Sequence, residues 1–319
     1  MKVLITGATG LVGGELLKLC KQQNITVHYL TTRKEKLENE ALYRGFYWNP
    51  ATSEIDANCF EGVTAVINLA GASISKRWTA EYKKTIRESR INTLQTLHRA
   101  MSEIDVSEIT SFVSASAIGI YPTSLTEYYD EDFPGVDDSF LGEVVADWEK
   151  AVDAFSGFDF PVAKVRIGLV MSDKGGALPE MAKPVKYYAG AAFGSGNQWQ
   201  SWIHIRDLAR LFMYVVENGL SGVYNGVGPN PVTNTKLVKE IAKVLEKPLL
   251  LPNIPEFAMK TLLGEMSYIL FASQRVSSKK IEEEGFVYHH QNICKTLEHL
   301  YLSSGEQDTD DVLYQNGYV

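Results

Sequence analysis

The chain has 319 residues, of which 45% are hydrophobic and 22% are charged, and its formal net charge is −8. A chain of this length and composition can bury one large core together with a smaller companion domain, and it is not a mostly disordered protein. Phosphate binding depends on clustered Lys and Arg, and no basic patch stands out in this acidic chain, so we expect no nucleic-acid partner.

The three cysteines, Cys20, Cys59 and Cys294, are dispersed and form no CxxC pair. This set resembles neither a disulfide framework nor a zinc site, so we expect reduced thiols and no metal. The chain enters its first strand without a signal segment, and no apolar run approaches the roughly 18 to 20 residues of a membrane span. We therefore expect a soluble, cytoplasmic protein with a small-molecule substrate and no membrane partner; its oligomeric state stays open, with a homodimer as one option.

Strands and helices alternate over the first 170 residues, which is the pattern of a parallel sheet with right-handed crossovers. The predicted strands are 3–6, 25–31, 43–48, 63–69, 109–114 and 162–171. The predicted helices are 10–22, 79–101, which begins at a Thr N-cap, and 142–155, whose apolar residues are spaced for one buried face.

The alternation changes after residue 171. Residues 175–196 indicate a loop and helix that leave the sheet, and 201–216 with 222–225 indicate a return to it. A helix is predicted over 233–245, and the remainder to 302 is helix-rich, with one strand near 249–251 that is broken by Pro. The sequence thus predicts an α/β fold: a Rossmann doubly wound parallel sheet from 1–170, to which 200–228 return, and a smaller helix-rich C-terminal substrate domain from 171–199 and 229–302. Residues 303–319 are predicted to be a loosely held acidic tail.

A glycine-rich turn, Gly7-Ala8-Thr9-Gly10-Leu11-Val12-Gly13, directly follows the first strand and opens the first helix. Gly7 permits a tight turn, Gly10 lets the backbone approach a pyrophosphate, and Gly13 allows close packing of helix on strand. The helix N–H groups then meet the negative charge. The alternative is an ordinary glycine-rich turn, but the strand before it and the helix after it favour dinucleotide binding.

The end of the second strand indicates which dinucleotide is bound. It carries Thr32 and Arg33 and lacks the Asp or Glu that hydrogen-bonds the adenosine ribose in NAD enzymes. An acid would repel a 2′-phosphate, whereas Thr32 and Arg33 can bind one through hydrogen bonding and charge pairing. We therefore predict NADP rather than NAD, although Arg33 could also simply begin a solvated helix.

These motifs resemble the extended short-chain dehydrogenase/reductases in the turn 7–13, in Asn68-Leu69-Ala70-Gly71, in Ser114-Ala115-Ser116 and in 202–208. Segments 71–78 and 198–204 are similar to the atypical, NAD(P)-dependent epimerase-like branch, sometimes labelled sugar nucleotide epimerase or cell-division inhibitor. The C-terminal segments 225–235, 263–266 and 274–276 are also similar to that branch. The resemblance covers nearly all of residues 1–300.

The resemblance implies a set of cofactor-binding residues. Those expected at the pyrophosphate are Gly7, Thr9, Gly10, Leu11 and Val12, and those expected along the path from adenosine to nicotinamide are Asn68, Leu69, Ala70 and Gly71. It also implies that Ser114 and Arg166 lie at strand ends that face the cofactor. His204 and Asp207 are expected to have a structural role at the domain junction.

The catalytic pattern departs from that of the extended family, which uses a Ser or Thr, a Tyr-x-x-x-Lys pair and an upstream Asn. Ser116 occupies the Ser position, with a one-residue shift within 114–117 as the alternative, but Phe140, Val144 and Arg90 stand at the Tyr, Lys and Asn positions. Neither Phe nor Val can exchange a proton. Tyr121 is the remaining phenol near a strand end, so we predict that it carries the proton, with a pKa lowered by neighbouring positive charge; the alternative is an aromatic packing residue.

Arg77 and Arg90 form the other candidate pair. If both reach the cleft, they supply two cations that suit a carboxylate or phosphate; alternatively they pair with Glu81, Glu88 or solvent. The sequence therefore predicts an NADP-dependent oxidoreductase or epimerase-like enzyme acting on a small, anionic or sugar-derived substrate. A non-catalytic NADP-binding sensor is the alternative, because the Tyr and Lys are missing.

Overall fold

The computed structural model describes residues 1–302 and places fifteen strands in one large and three small sheets. The strands are β1 (Lys2–Thr6), β2 (Thr26–Thr31), β3 (Asn39–Glu40), β4 (Tyr43–Asn49), β5 (Glu54–Ile55), β6 (Ala65–Asn68), β7 (Ser111–Ala117), β8 (Tyr128–Tyr129), β9 (Val162–Ile167), β10 (Leu169–Met171), β11 (Trp199–Gln200), β12 (Trp202–His204), β13 (Gly222–Gly226), β14 (Val232–Thr233) and β15 (Arg275–Val276).

Ten α-helices surround these sheets within the described residues. They are α1 (Leu11–Gln22), α2 (Ala80–Ser102), α3 (Phe140–Asp153), α4 (Ala177–Lys186), α5 (Ile205–Glu217), α6 (Asn234–Val244), α7 (Glu256–Leu263), α8 (Tyr268–Phe271), α9 (Lys279–Glu283) and α10 (Ile293–Leu302). In residues 1–302, none of the helices has the length and apolar character needed to cross a membrane.

The large sheet has the strand order β13-β9-β7-β6-β1-β2-β4-β3, and β5 pairs with β4. All pairings in it are parallel except those of β3 and β5 with β4. The chain builds outward from β1 in both directions, so β1 is the switch point at which ligands bind beyond the carboxyl ends of parallel strands. This topology confirms the predicted Rossmann-type doubly wound fold.

The core of the sheet is built from short apolar runs covered by helices on both faces. Val3, Leu4 and Ile5 of β1 are fully buried, as expected for a central parallel strand. The long helix α2 begins after Thr79, whose hydroxyl accepts a hydrogen bond from the Tyr82 N–H, so the predicted cap is confirmed. Helix α3 begins earlier than predicted because Ser139 caps it at the Gly142 N–H.

The C-terminal part forms a second core between α4, α6 and α10, in which Trp202, Leu237 and Leu297 are fully buried. Three two-stranded sheets, β10–β12, β11–β14 and β8–β15, connect this part to the rest of the chain. Strand β13 returns to the edge of the large sheet beside β9.

Two predicted strands differ from the structure. The strand predicted over 162–171 is interrupted at Gly168, where an added Cβ would lie 2.5 Å from the Ser201 carbonyl oxygen, and β10 pairs with β12 instead of continuing the large sheet. The strand near 249–251 is wrong: these residues are irregular, and the exposed side chains of Leu250 and Leu251 are not covered by a sheet. The predicted tail, 303–319, lies outside the described residues.

Candidate cofactor and active site

The glycine turn is closed to side chains at both ends and open in the middle. Gly7 has φ +69°, and a Cβ there would lie 2.8 Å from the Leu69 backbone. A Cβ on Gly13 would lie 2.3 Å from the Gly7 carbonyl oxygen, so helix and strand pack backbone to backbone. Gly10 is exposed, and a Cβ on it would meet only that same oxygen, at 3.1 Å.

The N-terminus of α1 carries no capping side chain and no acid in its first turn. Its first N–H groups therefore lack partners from within the helix, and the helix dipole adds a partial positive charge. Thr9 is exposed here, while Leu11 and Val12 are half-buried. The turn thus fits a pyrophosphate without rearrangement of a side chain.

A buried chain of hydrogen bonds fixes the second predicted cofactor segment against this turn. The Thr6 hydroxyl donates to Asn68 Oδ1 at 2.7 Å, and Asn68 Nδ2 donates to Ser114 Oγ at 3.0 Å. The same Thr6 hydroxyl accepts from the N–H groups of Leu69 and Ala70, both at 3.1 Å. Asn68 and Ser114 are fully buried and fix this segment from the core side. Gly71, where the segment ends, is exposed.

The end of β2 leaves its predicted 2′-phosphate residues in solvent. Thr32 and Arg33 are exposed, and the Arg33 N–H donates to the Thr31 hydroxyl at 3.2 Å. Lys34 lies over the ring of Tyr47, 4.7 Å from its centroid. Two cations therefore stand beside the carboxyl ends of β2 and β4.

Three of the predicted site residues meet in one buried network at the carboxyl ends of β7 and β9. Ser116 donates to Glu149 Oε1 at 2.6 Å, and Arg166 donates to both oxygens of Glu149, at 2.8 and 2.9 Å. Arg166 also donates to the Tyr121 hydroxyl at 2.9 Å, which in turn donates to Asn225 Oδ1 at 2.8 Å. The sequence interpretation missed Glu149 and Asn225; an acid on the apolar face of α3 was the available signal for Glu149.

This network corrects the predicted role of Tyr121. The tyrosine is fully buried, and burial raises its pKa to about 12 against the opposing charge of Arg166, so the predicted lowering is wrong. Burial alone would raise the pKa of Glu149, but the hydrogen bonds and charge of Arg166 lower it below its ordinary value. Arg166 is directed to Glu149 and Tyr121, and the one hydroxyl hydrogen of Ser116 is donated to Glu149.

Tyr121→Phe should therefore lower stability and leave proton transfer intact. The change removes a hydrogen bond to Arg166 and another to Asn225, so we expect a loss of roughly 1 to 3 kcal/mol in the free energy of unfolding. Urea unfolding measures this, with Tyr187→Phe at an exposed position as the control. Unchanged stability together with abolished turnover would show instead that Tyr121 carries the proton.

A cavity of about 210 Å³ lies next to this network, between α2, α3, β11 and α8. Its walls are mainly apolar and aromatic and include Trp148, Trp199 and Tyr268. Val144, at the position of the family lysine, also lines it. The cavity therefore lies where the Tyr-x-x-x-Lys pair of the extended short-chain dehydrogenase/reductases would act. In this chain, however, the wall at the lysine position is the hydrocarbon side chain of Val144.

Of the two predicted arginines, Arg90 lines the cavity, whereas Arg77 does not and lies exposed in the loop before α2. The two cations are thus not brought together, because the loop turns Arg77 to solvent. Arg90 Nη1 donates to the carbonyl oxygens of Ile86 at 2.8 Å and Ala72 at 3.3 Å, and its guanidinium lies 5.0 Å from the Trp148 ring centroid. Burial lowers the pKa of Arg90 to about 10, which leaves it charged at neutral pH.

His204 and Asp207 hold the junction between α5 and the segment before α10. The His204 ring stacks on His290 with centroids 3.7 Å apart, and Asp207 accepts from the His290 N–H at 2.8 Å and pairs with Arg210 at 2.8 Å. The ligand nitrogens of His204, His290 and His299 lie within 4.8 Å of one another. An ion lies close to the plane of each imidazole that binds it, and two rings stacked face to face, with centroids 3.7 Å apart and planes 17° from parallel, cannot both direct a ring nitrogen at one ion, so as arranged this cluster is a packed junction.

The switch point at β1, the glycine turn that is open at Gly10, and the uncapped helix together define a Rossmann-type α/β protein with a ligand crevice at its strand ends. Comparison with known proteins gives the family. The model of the NAD dependent epimerase/dehydratase family matches residues 3–226, and the chain belongs to that family. A domain of unknown function, DUF1731, matches residues 254–300. The resemblance to the epimerase-like branch is thereby confirmed.

Individual relatives agree with this assignment. The chain is 38% identical over 300 residues to a chloroplastic homolog of epimerase family protein SDR39U1 from Arabidopsis thaliana, covering 93% of this chain and 86% of that protein. An epimerase family protein of Staphylococcus aureus is 35% identical over 298 residues, covering 93% of this chain and 98% of that protein. The crystal structure of human SDR39U1 with NADPH superposes with a TM-score of 0.82 at 27% identity, covering 95% of this chain and 99% of that one.

Proposed function

We propose that this protein is an NADP-dependent oxidoreductase or epimerase-like enzyme of the short-chain dehydrogenase/reductase superfamily that acts on a small molecule. The observation that carries the proposal is the juxtaposition of the open glycine turn with the cavity beyond the same sheet edge. A dinucleotide on the turn reaches along the carboxyl ends of the strands toward that cavity. When bound, its nicotinamide ring supplies or accepts a hydride.

The choice of NADP rests on the end of β2. Thr32 and Arg33 are exposed there with Lys34 beside them, and no acid occupies the position that reads the ribose in NAD enzymes. The human relative, whose crystal structure contains NADPH, supports the same choice.

Arg33→Glu should weaken NADPH binding about 30- to 100-fold and NADH binding only a few-fold. A charge-assisted contact to the 2′-phosphate contributes roughly 2 to 3 kcal/mol, and each 1.4 kcal/mol is tenfold in affinity. Calorimetric titration of both cofactors measures the ratio. Lys21→Glu makes the same charge change at the exposed end of α1 and serves as the control. Equal losses for both cofactors would mean that Arg33 does not contact the 2′-phosphate.

The described residues bind and orient the substrate but offer no ready proton donor. Tyr268 is the phenol that lines the cavity, and it donates to Asp137 Oδ2 at 2.8 Å. Burial and that hydrogen bond raise its pKa. We infer that Arg90 and the aromatic walls position the substrate in a cavity of reduced dielectric. The proton then comes from water or from a substrate group.

The hydrocarbon side chains of Phe140 and Val144 favour a second candidate, an NADP-binding sensor without turnover. Turnover assays with a panel of small aldehydes, ketones and oxo-carboxylates separate the two functions. An oxidoreductase oxidises NADPH with at least one member of the panel at a rate that depends on substrate concentration, whereas an epimerase leaves NADPH unchanged overall and is detected by analysis of the product's stereochemistry after incubation with chiral hydroxy compounds. Tight NADPH binding without either activity supports the sensor.

A further inference from the structure

We propose that the substrate is a small apolar monocarboxylate, bound through Arg90, rather than a nucleotide sugar. This inference rests on the proposed function, because it takes the cavity beside the cofactor crevice as the substrate site. The argument depends on the charge of the cavity, on its hydrogen-bonding groups and on its size.

Within residues 1–302, the side chains that line the cavity include one cation and no acid. Arg90 is the charged residue among those that line the cavity. Its two hydrogen bonds to the protein within residues 1–302 both come from Nη1 and go to backbone carbonyl groups, so Nε and Nη2 donate to no protein group there. These two nitrogens form the edge of the guanidinium that binds a carboxylate with two parallel hydrogen bonds. An anion there would neutralise a half-buried charge that has no ion-pair partner in the described part of the chain.

Most other polar groups of the lining already have partners. The Tyr268 hydroxyl donates to Asp137 at 2.8 Å, the Ser201 hydroxyl donates to the Gln274 carbonyl oxygen at 2.8 Å, and the Trp199 N–H donates to the Leu125 carbonyl oxygen at 3.1 Å. The Gln274 amide donates to the Tyr121 carbonyl oxygen at 2.6 Å. A sugar needs a partner for each of its hydroxyl groups, because burying an unpaired one is costly. The lining leaves little besides Arg90 and Gln200 to supply them.

The size of the cavity and the character of its walls also favour a small apolar monocarboxylate over a nucleotide sugar. Its volume of about 210 Å³ is below the roughly 300 to 1,000 Å³ of sites for drug-sized ligands. Trp148 and Trp199 supply flat apolar surface. The cavity wall around Arg90 thus offers guanidinium N–H donors and flat apolar surface. A single carboxylate satisfies one arginine, whereas a phosphate with three acceptor oxygens needs more donors than this lining has.

The test compares benzoate with benzamide, which match in shape and differ in charge, by calorimetric titration into protein saturated with NADPH. We expect benzoate to bind about 10- to 100-fold more tightly, the difference made by a charge-assisted pair of hydrogen bonds. Arg90→Gln should abolish this preference and leave benzamide affinity within a few-fold. Arg90→Lys should keep part of it. Arg87→Gln, on the same helix but paired at the surface with Glu143 and Asp147, should leave it unchanged.

Several results would overturn the inference: equal binding of the two probes, no binding of benzoate at millimolar concentration, retention of the preference in Arg90→Gln, or tighter binding of UDP-glucose than of benzoate. NADPH affinity is measured first for each variant. A wild-type protein that fails to bind NADPH contradicts the proposed function before a probe is added, whereas normal NADPH binding without a benzoate preference contradicts the substrate class alone. A loss of NADPH affinity in Arg90→Gln would assign Arg90 to the cofactor and also overturn the inference.

Discussion

Gly10→Asp should abolish NADPH binding while the protein remains folded. The carboxylate would occupy the space in which the pyrophosphate approaches the backbone, and it would place a negative charge against the phosphates at the N-terminus of α1. Because Gly10 is exposed and an added Cβ meets only the Gly7 carbonyl oxygen, the turn itself can accept the side chain with a small adjustment. We expect a loss of at least about 1000-fold, some 4 kcal/mol, measured by calorimetry.

Two control variants separate charge from bulk. Gly10→Asn has the same shape without the charge and should lose less affinity than Gly10→Asp. Gly14→Ala lies in the first turn of the same helix, where an added Cβ meets nothing within 4 Å, and should bind NADPH normally. Binding of NADPH to Gly10→Asp with wild-type affinity would contradict the assignment of this turn to the pyrophosphate.

Arg166→Met should produce the largest loss of stability, roughly 3 to 5 kcal/mol in the free energy of unfolding. Removing the guanidinium leaves Glu149 buried with an uncompensated charge and takes a hydrogen bond from Tyr121. Chemical denaturation measures the loss. Lys164→Met on the same strand removes a pair with the exposed Asp153 and should cost at most about 1 kcal/mol. Equal losses in the two variants would mean that the buried network contributes no more than a surface ion pair.

The stability difference between the wild type and Arg166→Met should become smaller as the pH falls. In the wild type the pKa of Glu149 is lowered, so its pairing contributes stability above its unfolded pKa of about 4.3 and is lost as pH falls through the folded value. In Arg166→Met burial acts without the opposing cation and raises the pKa of Glu149. Protonation then relieves the buried charge, so the difference between the proteins should narrow from pH 7 toward pH 5. A deficit independent of pH would point to lost packing instead.

Local features of the sequence were sufficient to predict the large sheet and the phosphate-binding turn. In the turn 7–13, Gly13 packs on the backbone of Gly7 and Ala8, and Gly7 adopts a φ of +69° that favours glycine, so both glycines are explained largely within the turn, although Gly7 also lies against the distant backbone of Leu69. The apolar runs of the central strands and the Thr79 cap likewise act over a few residues. The prediction at 249–251 failed because a strand needs a partner, and apolar composition alone does not supply one.

The buried network beyond the strand ends could not be predicted because its partners are distant in the chain. Tyr121 meets Asn225, 104 residues away, and Ser116 meets Glu149, 33 residues away. Proximity of Tyr121 to a cation suggested a lowered pKa, but the depth of burial, which the sequence does not contain, has the larger effect. Similarly, the sequence alone does not distinguish Arg77 from Arg90 as candidates for binding an anion, because it does not show the path of the loop before α2. In the structure, Arg90 lines the cavity and Arg77 does not.

The central claim is that this chain binds NADP at the glycine turn of its Rossmann-type sheet. Its most direct test is calorimetric titration of the wild-type protein with NADPH and, in parallel, with NADH at the same pH and salt concentration. We predict one NADPH bound per chain, with NADH at least about tenfold weaker because it lacks the 2′-phosphate that we propose Arg33 binds. Absence of binding by either nucleotide would contradict the cofactor site, and NADH binding as tightly as NADPH would contradict the choice of NADP.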